Sequence, residues 1–155
     1  MSKLIFEQMN LNSDFDKYHR LARVEMSDND LVDGRELRQL IAEQAVRAWW
    51  VCKPEQIEPV GWCAVMDPPP FGWESKTAHI LGVMVLGPEK GKGVGREIIR
   101  WLVNQLSGRS LTAAISPANF ASERAFQSMG FVLVAAGEDE LCHTWRRLPT
   151  DPLPS

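Results

Sequence analysis

The sequence predicts a single mixed α/β domain, one sheet with helices on its faces, on three observations. Apolar residues alternate with period two in some stretches and recur with period 3.6 in others, and the two kinds of stretch are interleaved along the chain. The 155 residues, 45% hydrophobic and 24% charged, suffice for one buried core. No repeat or linker interrupts the chain before Leu148, so residues 1–148 read as one domain and 149–155 as a loose proline-rich tail.

Taken in order, Lys3 to Met9 alternates as a strand does. Ser13 with Asp16 marks the start of a helix that turns Phe15, Tyr18, Ala22 and Met26 inward. A second helix follows Asp33, with Glu36 in its cap and Leu37, Leu40 and Ile41 as its apolar stripe. Ala48 to Lys53 and Val60 to Met66 read as strands joined by the turn PEQIEP, and DPPPFGWES as a stiff loop outside the core. Thr77 to Leu86 is a strand whose apolar run, from Ile80 on, is that of a buried one. It enters a glycine turn and then a helix with Ile98, Ile99, Leu102, Val103 and Leu106 on one face, closed by Gly108. Leu111 to Ile115 is a strand, and Asn119 caps a short helix ending at Gly130. Phe131 to Ala136 and Leu141 to Arg147 form a hairpin around Gly137-Glu138-Asp139.

Charge and composition exclude several functions. A net charge of −3 and a pI near 5.6 give no general attraction to nucleic acid or anionic membranes, so an anion site has to be local. The opening Met-Ser-Lys-Leu-Ile-Phe-Glu is no signal peptide, and no apolar run is long enough to span a membrane, so a cytoplasmic protein is expected. Cys52, Cys63 and Cys142 are isolated, without Cys-x-x-Cys spacing or paired histidines. They read as core thiols, with neither disulfide framework nor metal site.

The glycine turn, Gly87-Pro88-Glu89-Lys90-Gly91-Lys92-Gly93-Val94-Gly95-Arg96, stands out against this acidic background. A helix start presents unpaired N–H groups and about half a positive charge, and glycines let a phosphate approach them. A Walker loop is ruled out because three residues, not four, separate Gly87 from Gly91, and Lys92 precedes a glycine rather than a magnesium-binding Ser or Thr. A dinucleotide fingerprint is ruled out by the spacing Gly91-x-Gly93-x-Gly95 and by the lack of an acidic residue at 112–116.

Lys90-Gly91-Lys92-Gly93-Val94-Gly95 resembles instead the R/Q-x-x-G-x-G/A pattern of the GNAT superfamily of N-acetyltransferases. Asn119-x-x-Ser122-x-x-x-Phe126-x-x-x-Gly130-Phe131 is similar to that family's second cofactor segment, N-x-x-A/S-x-x-x-Y-x-x-x-G-F. The order of elements is also the family's. The resemblance implies a mostly antiparallel sheet with a splayed strand pair and helices on both faces, and transfer of acetyl from acetyl-CoA, the cosubstrate, to a primary amine by direct attack in a ternary complex. No metal is implied. The amides of Gly91 to Gly95 with Arg96 would hold the diphosphate, Lys90 and Lys92 would add charge, and Asn119, Ser122 and Phe126 would belong to the same site. A β-bulge is implied near Val85, where backbone groups of Met84 and Val85 would hold the pantetheine arm and polarise the thioester. Gly87 and Pro88 stand where the family has proline one residue earlier.

An alkylamine with a pKa near 10.4 is protonated at pH 7, so the reaction needs a base. His79 lies six residues before Val85, on the same strand face if alternation holds, and matches a histidine of the arylalkylamine branch. His143 and Glu74 are weaker candidates. Phe126 occupies the position of the family's general-acid tyrosine. The acceptor, read as a small molecule with a protein amine as the alternative, would meet Asp28, Asp30 and Asp33 as cation attractors and Phe71 and Trp73 as apolar walls. A non-catalytic acyl-CoA-binding or regulatory module is the competing reading, and a homodimer is compatible with either. No nucleic-acid or membrane partner is expected.

Overall fold

The computed structural model describes residues 3–10, 14–25, 34–67, 77–115, 119–135 and 143–148. Seven strands form one sheet in the order β1-β2-β3-β4-β5-β7-β6, and four α-helices pack on it. The elements are β1 (Ile5–Gln8), α1 (Phe15–Glu25), α2 (Gly34–Ala42), β2 (Val46–Cys52), β3 (Gly61–Met66) and β4 (Thr77–Val85), then α3 (Val94–Gln105), β5 (Ser110–Ile115), α4 (Phe120–Ser128), β6 (Val132–Ala135) and β7 (His143–Arg147). Every strand pair is antiparallel except β4 with β5. That one parallel pair needs a crossover, and α3 provides it.

Each expected strand and helix is present, with ends shifted by a few residues. One short element was not foreseen: Gly87–Glu89 forms a 3-10 turn with Pro88 in its first positions, where the fixed φ of proline suits a helical start. Ser13, Met26, the 137–139 turn and the tail lie outside the described residues.

The sheet separates two apolar layers. On one side Val51, Cys63, Val65, Ala78 and Ile80 pack with Ile98, Ile99 and Leu102 of α3 and with Phe126 and Met129 at the α4 end. On the other, Trp50, Trp62, Ala64 and Met84 pack with Tyr18 and Ala22 of α1 and Leu37 of α2. Burial of such side chains, about 1.5–3 kcal/mol each, is the main force holding the helices on the sheet. Cys63 is buried and Cys52 half-buried, both free, in keeping with core thiols; Cys142 lies outside the described residues. Arg109, after α3, donates in bidentate fashion to Asp67, after β3, and to the carbonyl of Thr77 at 3.1 Å. This bond ties together the ends at which β3, β4 and β5 meet.

Candidate functional site

The parallel pairing of β4 with β5 stops at Ile80 opposite Ala113. Beyond that point Leu81 to Val85 continue beside β3, while Ala113 to Ile115 continue beside β7. The two central strands therefore part, and a cavity of about 640 Å³ opens between them. It is lined by His79 to Val85, by the glycine turn, by Ala113 to Ile115, and by Asn119, Ser122, Arg124 and Phe126 of the α4 segment.

The expected bulge is four residues from where the resemblance put it. The β3–β4 register slips between Ala64, opposite Gly82, and Val65, opposite Ile80, which leaves Leu81 as the extra residue. Alternation along β4 is broken there. Val83 and Val85 pack on the α3 side, whereas Leu81 and Met84 pack on the α1–α2 side. His79, paired with Met66, shares the face of Met84, so the expected common face of His79 and Val85 is corrected.

The glycine turn is shaped by backbone that only glycine adopts easily. Gly91 and Gly93 both have φ +81°, and Gly93 is the N-cap of α3. The first helical bond runs from Glu97 N–H to Gly93 O, so the N–H groups of Val94, Gly95 and Arg96 have no helical acceptor. A Cβ on Gly95 would lie 3.3 Å from Val85 Cγ2, so this glycine lets the helix start sit close against β4. Arg96 lines the cavity, and its buried Nε has no partner among the described residues. Lys90 reaches the cavity wall. Lys92 does not line it; its Nζ lies 4.0 Å from Glu89 Oε2 on a side chain that is 60% exposed.

His79 is 9% exposed, with Nδ1 3.1 Å from Thr112 Oγ1 on the adjacent β5. Burial lowers its pKa from 6.5 to about 4, so the imidazole is neutral at pH 7. Asn119 Oδ1 accepts from the Ser122 N–H at 3.2 Å as the N-cap of α4, which fixes the helix against the cavity. Phe126 is 3% exposed, meets Phe131 edge to face at 5.0 Å, and still borders the cavity. The ring is thus both core and wall. His143 Nδ1 is instead 3.1 Å from Glu123 Oε2. Asp28, Asp30, Asp33, Phe71, Trp73 and Glu74 lie outside the described residues.

The Acetyltransferase (GNAT) family model matches residues 14–131. The chain belongs to the GNAT acetyltransferase family. It is an acyltransferase, and the family uses acetyl-CoA. None of the curated proteins matches the chain. Among solved structures, an acetyltransferase from Thermus thermophilus superimposes with a TM-score of 0.77 at 21% identity, covering 95% of this chain and 99% of that one. A chimeric spermidine N-acetyltransferase from Vibrio cholerae gives 0.76 at 15% identity, covering 96% and 97%. A GCN5-related N-acetyltransferase from Kribbella flavida gives 0.71 at 16% identity, covering 94% and 97%. At these identities the likeness concerns the GNAT fold.

The residues present fit the family's cosubstrate. A diphosphate needs several N–H donors and positive charge, and the start of α3 has three amides without helical acceptors beside the unpartnered Arg96 Nε. An extended amide-bearing arm needs an open strand edge, which β4 has beyond Ile80. Among the described residues no group of His, Cys, Asp or Glu is arranged to hold a metal ion, and no helix is long and apolar enough to cross a membrane.

Proposed function

We propose that this GNAT enzyme moves the acetyl group of acetyl-CoA to the primary amine of a small molecule by direct attack in a ternary complex. The observation that carries the reading is the continuous cavity from the free amides of the glycine turn, along the open edge of β4, to His79. Acetyl-CoA supplies an activated thioester, whose acyl C–S bond is exchanged for a C–N bond to the acceptor. Val94, Gly95 and Arg96 hold the diphosphate through their amides, with Gly91 and Gly93 giving it room and Lys90 and Lys92 raising the local potential. Met84 and Val85 offer backbone groups toward the arm and the acyl oxygen. Asn119 and Ser122 set the start of α4 against the same cavity.

His79 serves as the base at a particular moment. With a pKa of about 4 it is far too weak to strip a free ammonium near 10.4. It can accept the proton once the neutral amine has attacked and the C–S bond breaks, because the still-protonated nitrogen of the forming amide is far more acidic than an ammonium. Thr112 steadies the ring through the contact between Nδ1 and its hydroxyl. The departing thiolate, with a thiol pKa near 8.5, leaves without a tyrosine donor. Asp28, Asp30, Phe71 and Trp73 are proposed for the acceptor on sequence grounds alone. Self-association is supported by the edge strand β6, which exposes Val132, Leu133 and Val134, and a spermidine N-acetyltransferase of this fold from Vibrio cholerae is dodecameric.

Incubating the protein with acetyl-CoA and a panel of small amines while following free thiol tests this function. Amine-dependent thiol release is expected. Thiol release only with a protein or peptide acceptor would move the substrate class, and none with any amine would overturn the reading.

A further inference from the structure

A carboxylate lies where an anion is meant to bind. Glu89 belongs to the 3-10 turn, is 6% exposed, and borders the cavity beside Lys90 and Gly91. An unpaired negative charge there would repel a diphosphate and would be costly to bury. Its nearest partner comes from outside the site: Lys53, where β2 ends, donates to Glu89 Oε2 at 2.6 Å across 36 residues of sequence, while the exposed Lys92 stands 4.0 Å from the same oxygen. The Lys53 hydrogen bond, more than any other contact, holds the carboxyl below its ordinary range, so it stays ionised at neutral pH. The backbone of Glu89 is equally tied in, its N–H bonded to Leu86 O at 2.9 Å and its carbonyl accepting from Lys92 N–H at 3.3 Å.

We propose that Lys53 is a positioning residue for coenzyme A binding: it neutralises Glu89, so that the carboxylate does not repel the diphosphate at the amides of α3. The inference rests on the cofactor reading of the same cavity. Lys53 itself does not line the cavity, so its effect passes through Glu89.

Isothermal titration with coenzyme A and with phosphate-free pantetheine tests this on three proteins: the unsubstituted chain, Lys53→Met, and Lys53→Met combined with Glu89→Gln. Lys53→Met leaves Glu89 with only the exposed Lys92 near it and is expected to weaken coenzyme A by about tenfold, the order for unit charges roughly 12 Å apart at an effective dielectric of about 20. Pantetheine affinity should not change. The double variant should recover most of the coenzyme A affinity, because the uncompensated charge is gone. A thermal melt establishes that each protein is folded, and the double variant, which buries no lone charge, keeps the comparison open if Lys53→Met is unstable. Equal coenzyme A affinity in Lys53→Met, an equal loss in both variants, or a parallel loss for pantetheine would each overturn the proposal. Absence of coenzyme A binding to the unsubstituted chain would overturn the cofactor reading and the role of Lys53 with it.

Discussion

His79 titrates in a way that stability and kinetics should both report. Its pKa is about 4 in the folded chain against 6.5 when exposed, so the unfolded state binds more protons between these values. Its contribution to stability is complete above pH 6.5, declines as pH falls from 6.5 to 4, and is gone below that; the whole loss is on the order of 3 kcal/mol. Urea unfolding at pH 7.5, 5.5 and 4 should show a shallower decline in His79→Gln than in the unsubstituted protein; equal slopes would mean the ring is not desolvated. In turnover, His79→Ala should lose roughly 10²- to 10⁴-fold while coenzyme A affinity stays nearly constant. The unsubstituted enzyme should gain rate with pH as the free amine grows, with no inflection between pH 6 and 7. Phe126 is tested by Phe126→Tyr. Because the ring borders the cavity as well as the core, the added hydroxyl should find that space, leaving the melting temperature nearly unchanged and turnover equal or higher. A loss of about 1–3 kcal/mol with no kinetic gain would mean the para position is buried without a partner.

The start of α3 depends on backbone that few residues tolerate. No atom lies within 4 Å of a Cβ added to Gly93, so a side chain has room there, but φ +81° strains any β-branched residue. Gly93→Val should therefore cost about 1–2 kcal/mol without ligand and abolish the rise in melting temperature given by coenzyme A. A normal ligand-induced rise would detach the turn from binding. This turn was legible in sequence because alternating glycines before an amphipathic helix are local signals, and so were the N-cap of α4 and the order of strands and helices along the chain. The bulge at Leu81 was not legible. It depends on how β4 registers against Ala64 and Val65 of β3, and in the apolar run from Ile80 to Leu86 Gly82 alone hints at a slip without fixing which residue is extra. The 3-10 turn escaped for a similar reason, since Pro88 suits several turns.

Over the whole molecule, the site exists because one strand pair in an otherwise antiparallel sheet is parallel and short. The contacts that hold it join distant positions, Lys53 with Glu89 and Asp67 with Arg109, and nothing in the local pattern around any of the four residues announces its partner. His79 was legible as a candidate from residue type and placement, but its neutrality was not, because burial arises only when distant parts of the chain pack around the strand. The central claim is that the parted edges of β4 and β5 and the start of α3 form one binding site for acetyl-CoA. A crystal structure of the complex with coenzyme A is the most direct test. Diphosphate oxygens should lie within hydrogen-bonding distance of the Val94, Gly95 and Arg96 amides, with the pantetheine arm between residues 81–85 and 113–115 and the thiol toward His79. Coenzyme A bound elsewhere on the protein, with this cavity empty, would contradict the account.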